Sequence, residues 1–336
     1  MAEMITIAGG GLAGLSLGIA LRNRGVPVTL HEAGTYPRHR VCGEFISGVS
    51  SSTLAALGIS GDFAGASRPQ TTVWFHRDHV ILSRRLPRPA MGISRYLLDE
   101  RLRCRFTALG GELRENSRLV PSGSEGLVWC AGRTPVAGPW IGLKCHVRGL
   151  RLHADLEMHL GSNGYIGLAG IEDGVVNVCG LFRRRPGGPG KGTSALGGYL
   201  EEGGLGGLWR RIRAAQPDER SFLGVAGFRL GWQEVRAASA SVGDAAAMIP
   251  PFTGNGMSMA FEAAEAAVGP LADWSVGRAG WTRTVRRLRS RRRIAGRIFL
   301  ASAAHPFLTT PPGQAFLAAV SRSGLLPFNL CFAALR

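Results

Sequence analysis

Three glycines near the start of the chain are spaced for chemistry on a phosphate. Gly9-Gly10-Gly11-Leu12-Ala13-Gly14 has the form G-x-G-x-x-G and follows a short apolar run, 4–8. In this pattern Gly9 permits a tight turn, Gly11 lets the backbone approach a pyrophosphate, and Gly14 lets the next helix pack closely on the strand. The helix N-terminus then favours the anion. A helix is expected over 12–23, with Ala13, Leu17, Ala20 and Leu21 on its apolar face and Gly25 as its stop. A second strand, 26–30, runs into Glu32, 18 residues after Gly14, where a carboxylate accepts hydrogen bonds from a ribose diol. The whole unit specifies dinucleotide binding and leaves FAD and NAD open.

A second glycine turn lies far along the chain. In 242–260, VGDAAAMIPPFTGNGMSMA, an apolar lead-in ends at Gly243-Asp244. A Pro250-Pro251 turn follows, then Gly254-Asn255-Gly256 and an Ala-rich helix through about residue 268. Here too a helix N-terminus and glycine amides face an anion or an electron-rich ring.

G-D-A-A…P-P-x-x-G-x-G opening a helix resembles the second flavin motif of the p-hydroxybenzoate-hydroxylase fold. That superfamily includes aromatic-ring monooxygenases, geranylgeranyl reductases and flavin-dependent halogenases. Further segments match. The run 36–44, YPRHRVCGE, resembles the P-R-x-K-x-C-G-E stretch of the reductase branch, with Arg40 in place of Lys. Arg95-x-x-Leu98-Asp99-x-x-Leu102 resembles a helix whose Arg lies near the FAD phosphates or adenosine, and 128–132, VWCAG, resembles a strand ending in an A-x-G turn. The resemblance spans about residues 4–270. A second G-x-G-x-x-G, the halogenase W-x-W-x-I-P signature and the reductase Y-x-W-x-F-P version are absent; 164–169, GYIGLA, stands in the corresponding strand.

The resemblance implies an α/β (α+β) fold, a Rossmann-like FAD-binding domain with an inserted antiparallel-sheet substrate domain and a C-terminal helical cap. The expected division is 1–70, 90–139 and 237–272 for FAD, 71–89 and 140–236 for substrate, and 273–336 for a basic helical region. FAD would lie against Gly9, Gly11, Leu12, Ala13, Gly14, Glu32, Ala33, Arg40, Cys42, Gly43, Arg95, Ala131, Gly132, Gly243, Asp244, Gly254, Asn255, Gly256 and Met257. Asp244 would bond the ribityl chain, and the amides around Gly254–Met257 would face the flavin pyrimidine. Cys42, Glu44 and Pro251 are the candidates at the reacting edge; Cys42 also reads as a small buried residue before a turn, and Glu44 as a partner of Arg38 or Arg40. The reading is an FAD-dependent oxidoreductase, a monooxygenase acting on an apolar or aromatic secondary metabolite, with NAD(P)H or a reduced flavin as donor. The alternatives are a double-bond reductase of the geranylgeranyl reductase type and a non-catalytic flavin-binding protein.

The remaining elements must position these turns. Strands are expected at 140–147, 152–160, 164–171, 175–182 and 226–232, with 183–194, RRRPGGPGKGTS, as a loop. His146, His153 and His159 fall within the strands at spacings unsuited to one metal, so satisfied or exposed histidines are expected and no metal site. A basic helix is expected over 278–300, broken by Pro306, Pro311 and Pro312, with apolar helical turns over 315–335. The cap is expected to sit over the flavin domain.

Composition excludes other classes. The 336 residues are 45% hydrophobic and 19% charged, which supplies a core and excludes a disordered chain; the 49 glycines follow no G-X-Y period, which excludes collagen. The net charge is +17, and 274–336 holds eleven Arg with no Asp or Glu. A basic tail suits nucleic acid, anionic lipid or an acidic protein partner, and no motif here reads nucleic acid. Peripheral membrane contact through Arg and apolar side chains is the sharper reading, a helical cap the plainer one. The six cysteines lack C-x-x-C spacing and read mostly as small buried thiols in a reducing, cytoplasmic setting. The uncharged stretch 4–21 has the length of a membrane span, but five glycines crowd it.

Overall fold

Ile5–Ala8 forms β1 at the centre of a five-stranded parallel sheet in a computed structural model that describes residues 2–185, 190–233, 240–289 and 292–334. Its neighbours are β2 (Val28–His31) and β8 (Leu127–Trp129); β7 (Glu112–Arg114) and β15 (Ala240–Ser241) complete the order β15-β8-β1-β2-β7. Parallel strands need crossovers, and helices supply cover. These are α1 (Leu12–Arg22), α3 (Arg95–Ala108) and α6 (Gly256–Ser275), with α1 packed on both others. Leu15, Leu17, Ile19 and Leu21 have no exposed surface, so α1 is buried nearly all round. The short helix α2 (Ser51–Ala56), capped by Ser50, packs beside α6.

A second, seven-stranded sheet carries the wall that faces the first. It comprises β4 (Thr71–His76), β5 (His79–Arg85), β9 (Trp140–Arg148), β10 (Leu156–Gly161), β11 (Gly164–Gly170), β12 (Val176–Arg183) and β13 (Gln216–Ala226), in the order β13-β9-β12-β11-β10-β4-β5. Only the β10–β4 pair is parallel. Strand alternation sorts its side chains. Ile141, Leu143, Cys145 and Val147 of β9 pack with Leu196, Tyr199, Leu208 and Trp209 of α4 (Gly192–Glu202) and α5 (Gly206–Ala214). Trp140, Lys144 and His146 take the opposite face. Two short ribbons join the sheets: β3 (Phe45–Ile46) with β6 (Met91–Gly92), and β14 (Gly231–Trp232) with β16 (Ala247–Met248).

Several expectations are corrected. The expected strand 226–232 is instead the long β13, ending at Ala226, and the two-residue β14. The stretch read as strands alone contains α4 and α5, whose glycines hide their helicity from propensity while tertiary packing overrides it. His153 lies in the loop before β10, not in a strand. Of the loop 183–194, residues 186–189 lie outside the described residues, and Gly192 already opens α4. The basic helix is two helices, α7 (Trp281–Arg289) and α8 (Arg292–Thr309). Pro306 does not break α8, because it stands in the last turn; Pro311 instead opens α9 (Pro311–Arg322), capped by Thr310. With α10 (Phe328–Ala334) these extend the cap further than expected: α7 packs on α6, α8 meets α6 through Ala301 with Met259 and the Arg297–Glu262 pair of 2.6 Å, and α8 to α10 also cover the second sheet, where Leu308, Ala318 and Phe328 join Met158, Leu160 and Leu82. Among the described residues no helix is long and apolar enough to cross a membrane. Cys331 is exposed rather than buried, and none of the six cysteines is in a disulfide.

The α4–α5 contact separates two adjacent glycines. A methyl at residue 197 would stand 2.4 Å from the Trp209 ring, whereas one at 198 would meet only the tip of Arg185. In urea unfolding, Gly197→Ala should lose about 1–3 kcal/mol through overpacking. Gly198→Ala should hold or gain up to about 1 kcal/mol from helix propensity.

Candidate functional site

The β1–α1 turn is tight on one side and open on the other. A Cβ on Gly9 would lie 2.5 Å from Cys130 O and from Ala131 Cα, and one on Gly14 would lie 2.0 Å from Gly9 O. Gly9 also holds φ +109°. These two glycines let β1, β8 and α1 converge. Gly11 differs: the nearest atom to its virtual Cβ is Arg95 Nη2, 3.8 Å away. The N-terminus of α1 has neither a side-chain cap nor an acidic residue in its first turn. Unpaired amides therefore face open space beside a guanidinium, the arrangement that binds a phosphate. Leu12 and Ala13 are buried behind it.

A chain of alternating charges rims this turn. Arg95 grips Asp99 with two bonds of 2.7 and 2.8 Å, Arg40 Nε reaches the same carboxylate at 2.8 Å, and Arg40 also approaches Glu32 at 3.4 Å. Glu32 accepts from the amides of Gly10 and Gly34, each at 2.9 Å, and pairs Arg38 at 2.5 Å. Burial works against its charge, but Arg40, Arg38 and the two amides outweigh it and hold the carboxyl below its ordinary range. Glu32 thus fastens its own loop, and a ribose reaches it only if Arg38, one-third exposed, swings aside.

The two distant turns meet at Ser47. Its amide donates to Gly254 O at 3.2 Å, its hydroxyl to Asn255 Oδ1 at 2.7 Å, and Ser258 Oγ donates to Ser47 O at 2.5 Å. Gly254 turns the chain with φ +66°, and α6 starts at Gly256 with no side-chain cap. Met257 is buried, and Pro251 is exposed beside it. On the other turn Cys42 is half-buried and Gly43 exposed, while the Asn177 amide holds Cys42 O at 3.0 Å. Burial pushes the Cys42 thiol up, so it stays protonated near neutral pH.

Glu44 has no exposed side-chain surface and a left-handed φ of +52°. One carboxylate oxygen accepts from the Arg95 amide at 2.9 Å and from Lys144 Nζ at 3.2 Å; the other meets His146 Nε2 at 2.6 Å. It pairs neither Arg38 nor Arg40. Burial opposes its ionisation, yet the His146 bond and Lys144 hold its carboxyl below the ordinary value. Lys144 is itself fully buried and lies 3.3 Å from His39 Nδ1; His39 stacks on Tyr96 and meets the His146 edge. Burial, then Lys144, lowers the His39 pKa to about 4. Sequence reasoning missed Lys144 and His39 and read His146 only as a satisfied histidine. One signal was present: Lys144 and Lys191 are the two lysines among 40 basic residues.

Asp244 marks the floor between the turns. It lies deep in the protein, where burial raises its carboxyl to about 6 against the partial relief of Arg95 and Arg133. Its own surface is nevertheless open, and it makes no side-chain hydrogen bond among the described residues. Both properties belong to a residue lining an internal cleft. Gly43, Gly132 and Gly256 have nothing within 4 Å of a virtual Cβ, and Ala33 and Ala131 are exposed. Gly243 lies beneath, against Ala13. Opposite stands the second sheet, where Cys179 and its cross-strand partner Gly167 are half-exposed amid buried neighbours. Trp140, Tyr165, Phe228 and Phe252 belong to the same apolar cluster, with Phe252 edge-on to Tyr165 at 6.2 Å. No group of three His, Cys, Asp or Glu able to hold a metal occurs among the described residues.

No family model and no curated protein sequence matches the chain. Solved structures do. The flavin-dependent brominase Bmp2 is 17% identical with a TM-score of 0.76, covering 99% of this chain and 93% of its own. The p-nitrophenol 4-monooxygenase PnpA from Pseudomonas putida DLL-E4 is 14% identical, with TM-score 0.76 and coverage of 99% and 97%. HpxO from Klebsiella pneumoniae, solved with FAD and uric acid, is 15% identical, with TM-score 0.75 and coverage of 99% and 96%. The chain therefore has the fold of these flavin-dependent enzymes over its whole length.

The Glu44 cluster makes its own prediction. Glu44→Gln leaves the Lys144 charge buried and unpaired, which should cost about 3–5 kcal/mol in urea unfolding, while adding Lys144→Met should recover most of the loss. The pH dependence has a fixed sign. His39 is held neutral, so stability should fall as pH drops from 6.5 toward 4, and this slope should flatten in His39→Asn.

Proposed function

We propose that the protein is an FAD-dependent oxidoreductase, a monooxygenase acting on a small apolar or aromatic molecule. One observation carries the reading: the Gly11 turn, the exposed Asp244 carboxyl, which has no hydrogen bond among the described residues, and the uncapped start of α6 all stand open inside a fold shared with flavin-dependent enzymes. The residues fit FAD. The Gly11–Gly14 amides and Arg95 would hold the pyrophosphate, Asp244 the ribityl hydroxyls, and the Gly254–Met257 amides the pyrimidine end. Glu32 and Ala33 would take the adenosine arm once Arg38 moves. The parts 1–70, 90–139 and 237–272 form the flavin-binding portion in this reading, with 71–89 and 140–236 supplying the substrate side.

Bound FAD supplies two-electron redox chemistry and, when reduced, reactivity with oxygen; the electrons would come from NAD(P)H or a reduced-flavin donor. The chain's own residues bind, orient and exclude water. Trp140, Phe228 and Phe252, partly buried around Tyr165, offer flat apolar surface for an aromatic substrate. The protonated Cys42 thiol and the Pro251 turn close the reacting edge. Glu44 acts as a positioning residue: it locks the Cys42 turn to α3 and to the second sheet and presents no free oxygen to the cleft. Peripheral membrane contact by the C-terminal helices suits an enzyme whose substrate is apolar.

Purified protein should carry flavin, and Gly11→Val should purify without it, because a branched side chain fills the pyrophosphate space. A ribityl hydroxyl donates best to an ionised carboxylate. FAD affinity should therefore rise with pH up to about 6 and then level off, and Asp244→Asn should bind more weakly with no such rise. An aromatic substrate should stimulate NAD(P)H oxidation with oxygen consumption, and Cys42→Ala should keep FAD but change turnover or product pattern. Anaerobic saturation of a double bond would indicate the reductase, and bound flavin with no turnover would indicate a non-catalytic protein.

A further inference from the structure

Six of the twelve large apolar side chains that stand exposed among the described residues fall between 299 and 330: Phe299, Leu300, Phe307, Phe316, Leu325 and Leu330. Phe299, Leu325 and Leu330 are 73%, 77% and 70% exposed. The same helices have a separate inner side, since Leu308, Ala318 and Phe328 are buried against the second sheet. The outward residues are therefore not core-facing positions. Phe307 of α8 and Phe316 of α9 lie ring to ring at 5.7 Å, so the two helices present apolar surface side by side.

These helices themselves carry charge of one sign, and the acidic contact of α8 comes from α6, where Glu262 pairs Arg297 at 2.6 Å. From 274 to 336 there is no Asp or Glu. Arg322 on α9 is exposed and has no acidic partner among the described residues. The neighbouring edge strand β5, on which α9 packs, exposes Arg84 and Arg85. Outward apolar side chains beside cations, on helices unable to span, describe a surface that lies in the bilayer interface. We propose that α8 to α10 dock on an anionic lipid surface, with the Phe and Leu side chains entering the interface and the arginines meeting headgroups. Charge selects this occupant over a second copy of the chain, since two molecules of +17 bringing these cationic faces together would repel. The proposal rests on the surface alone and stands independently of the flavin reading.

The test is sedimentation of the full chain with vesicles of phosphatidylcholine and of phosphatidylcholine containing one-quarter phosphatidylglycerol. The chain should bind the anionic vesicles, and added salt should weaken binding. Phe299→Ser with Phe316→Ser should weaken it at least about tenfold, since each Phe loses its apolar transfer. Both positions are exposed, so the double variant should melt with the wild type; Arg322→Ser offers a second measurement with a smaller loss. Equal binding to the two vesicle types, no binding, or an unchanged double variant would overturn the proposal. So would wild-type protein that elutes as a dimer, ignores vesicles and becomes monomeric in the double variant.

Discussion

A carboxylate cut off from water must find its hydrogen bonds in the protein, and Glu44 finds them in two separate parts of the chain. The Arg95 amide belongs to the helix beside the Gly9–Gly14 turn, whereas Lys144 and His146 belong to the wall sheet. Glu44 itself lies one residue from the exposed Gly43 and two from Cys42, in a left-handed conformation that a side chain rarely adopts without support. The cleft thus exists where it does because one buried ion cluster ties the floor to the wall. Such a cluster is worth little as net stability and much as geometry, since breaking one partner strands the others in a low-dielectric site.

The second tie is made without charge. Ser47 bonds Gly254, Asn255 and Ser258, so a turn near residue 45 and a turn near residue 255 share one set of hydrogen bonds. Between the ties the chain leaves unfilled what it fills elsewhere. Gly9 and Gly14 are packed to contact, whereas Gly11, Gly43 and Gly256 face open space, and Asp244 keeps a raised carboxyl with no hydrogen-bonding partner among the described residues.

Local motifs were legible in the sequence, and long-range partners were not. The β1–α1 turn could be read because each glycine's role follows from a spacing of a few residues. The Gly243–Met257 turn could be read for the same reason, and the inner strands β9 to β12 of the wall were legible as strands. The side-chain partners of Glu44, Lys144 and His146, lie 100 and 102 residues away and carry no local signature, so the carboxylate was paired in expectation with the nearer Arg38 and Arg40. The helices α4 and α5 were hidden by their glycines, of which Gly197 is required by the Trp209 contact. β13 was hidden by its polar start, of which Gln216–Asp218 runs as a strand because it pairs with β9. The reach of the cap onto the second sheet was hidden because the apolar face of α8 to α10 says only that something is covered.

The central claim is that the cleft between the Gly11 turn and the start of α6 is a flavin site. A crystal structure of the protein grown with FAD tests it most directly. The account predicts the pyrophosphate at the Gly11–Gly14 amides beside Arg95, the ribityl chain on Asp244, and the ring between the Pro250–Gly256 turn and the Cys179–Gly167 wall, with Arg38 moved off Glu32. Flavin bound elsewhere, or a cleft that stays closed to FAD while the chain remains folded, would contradict it.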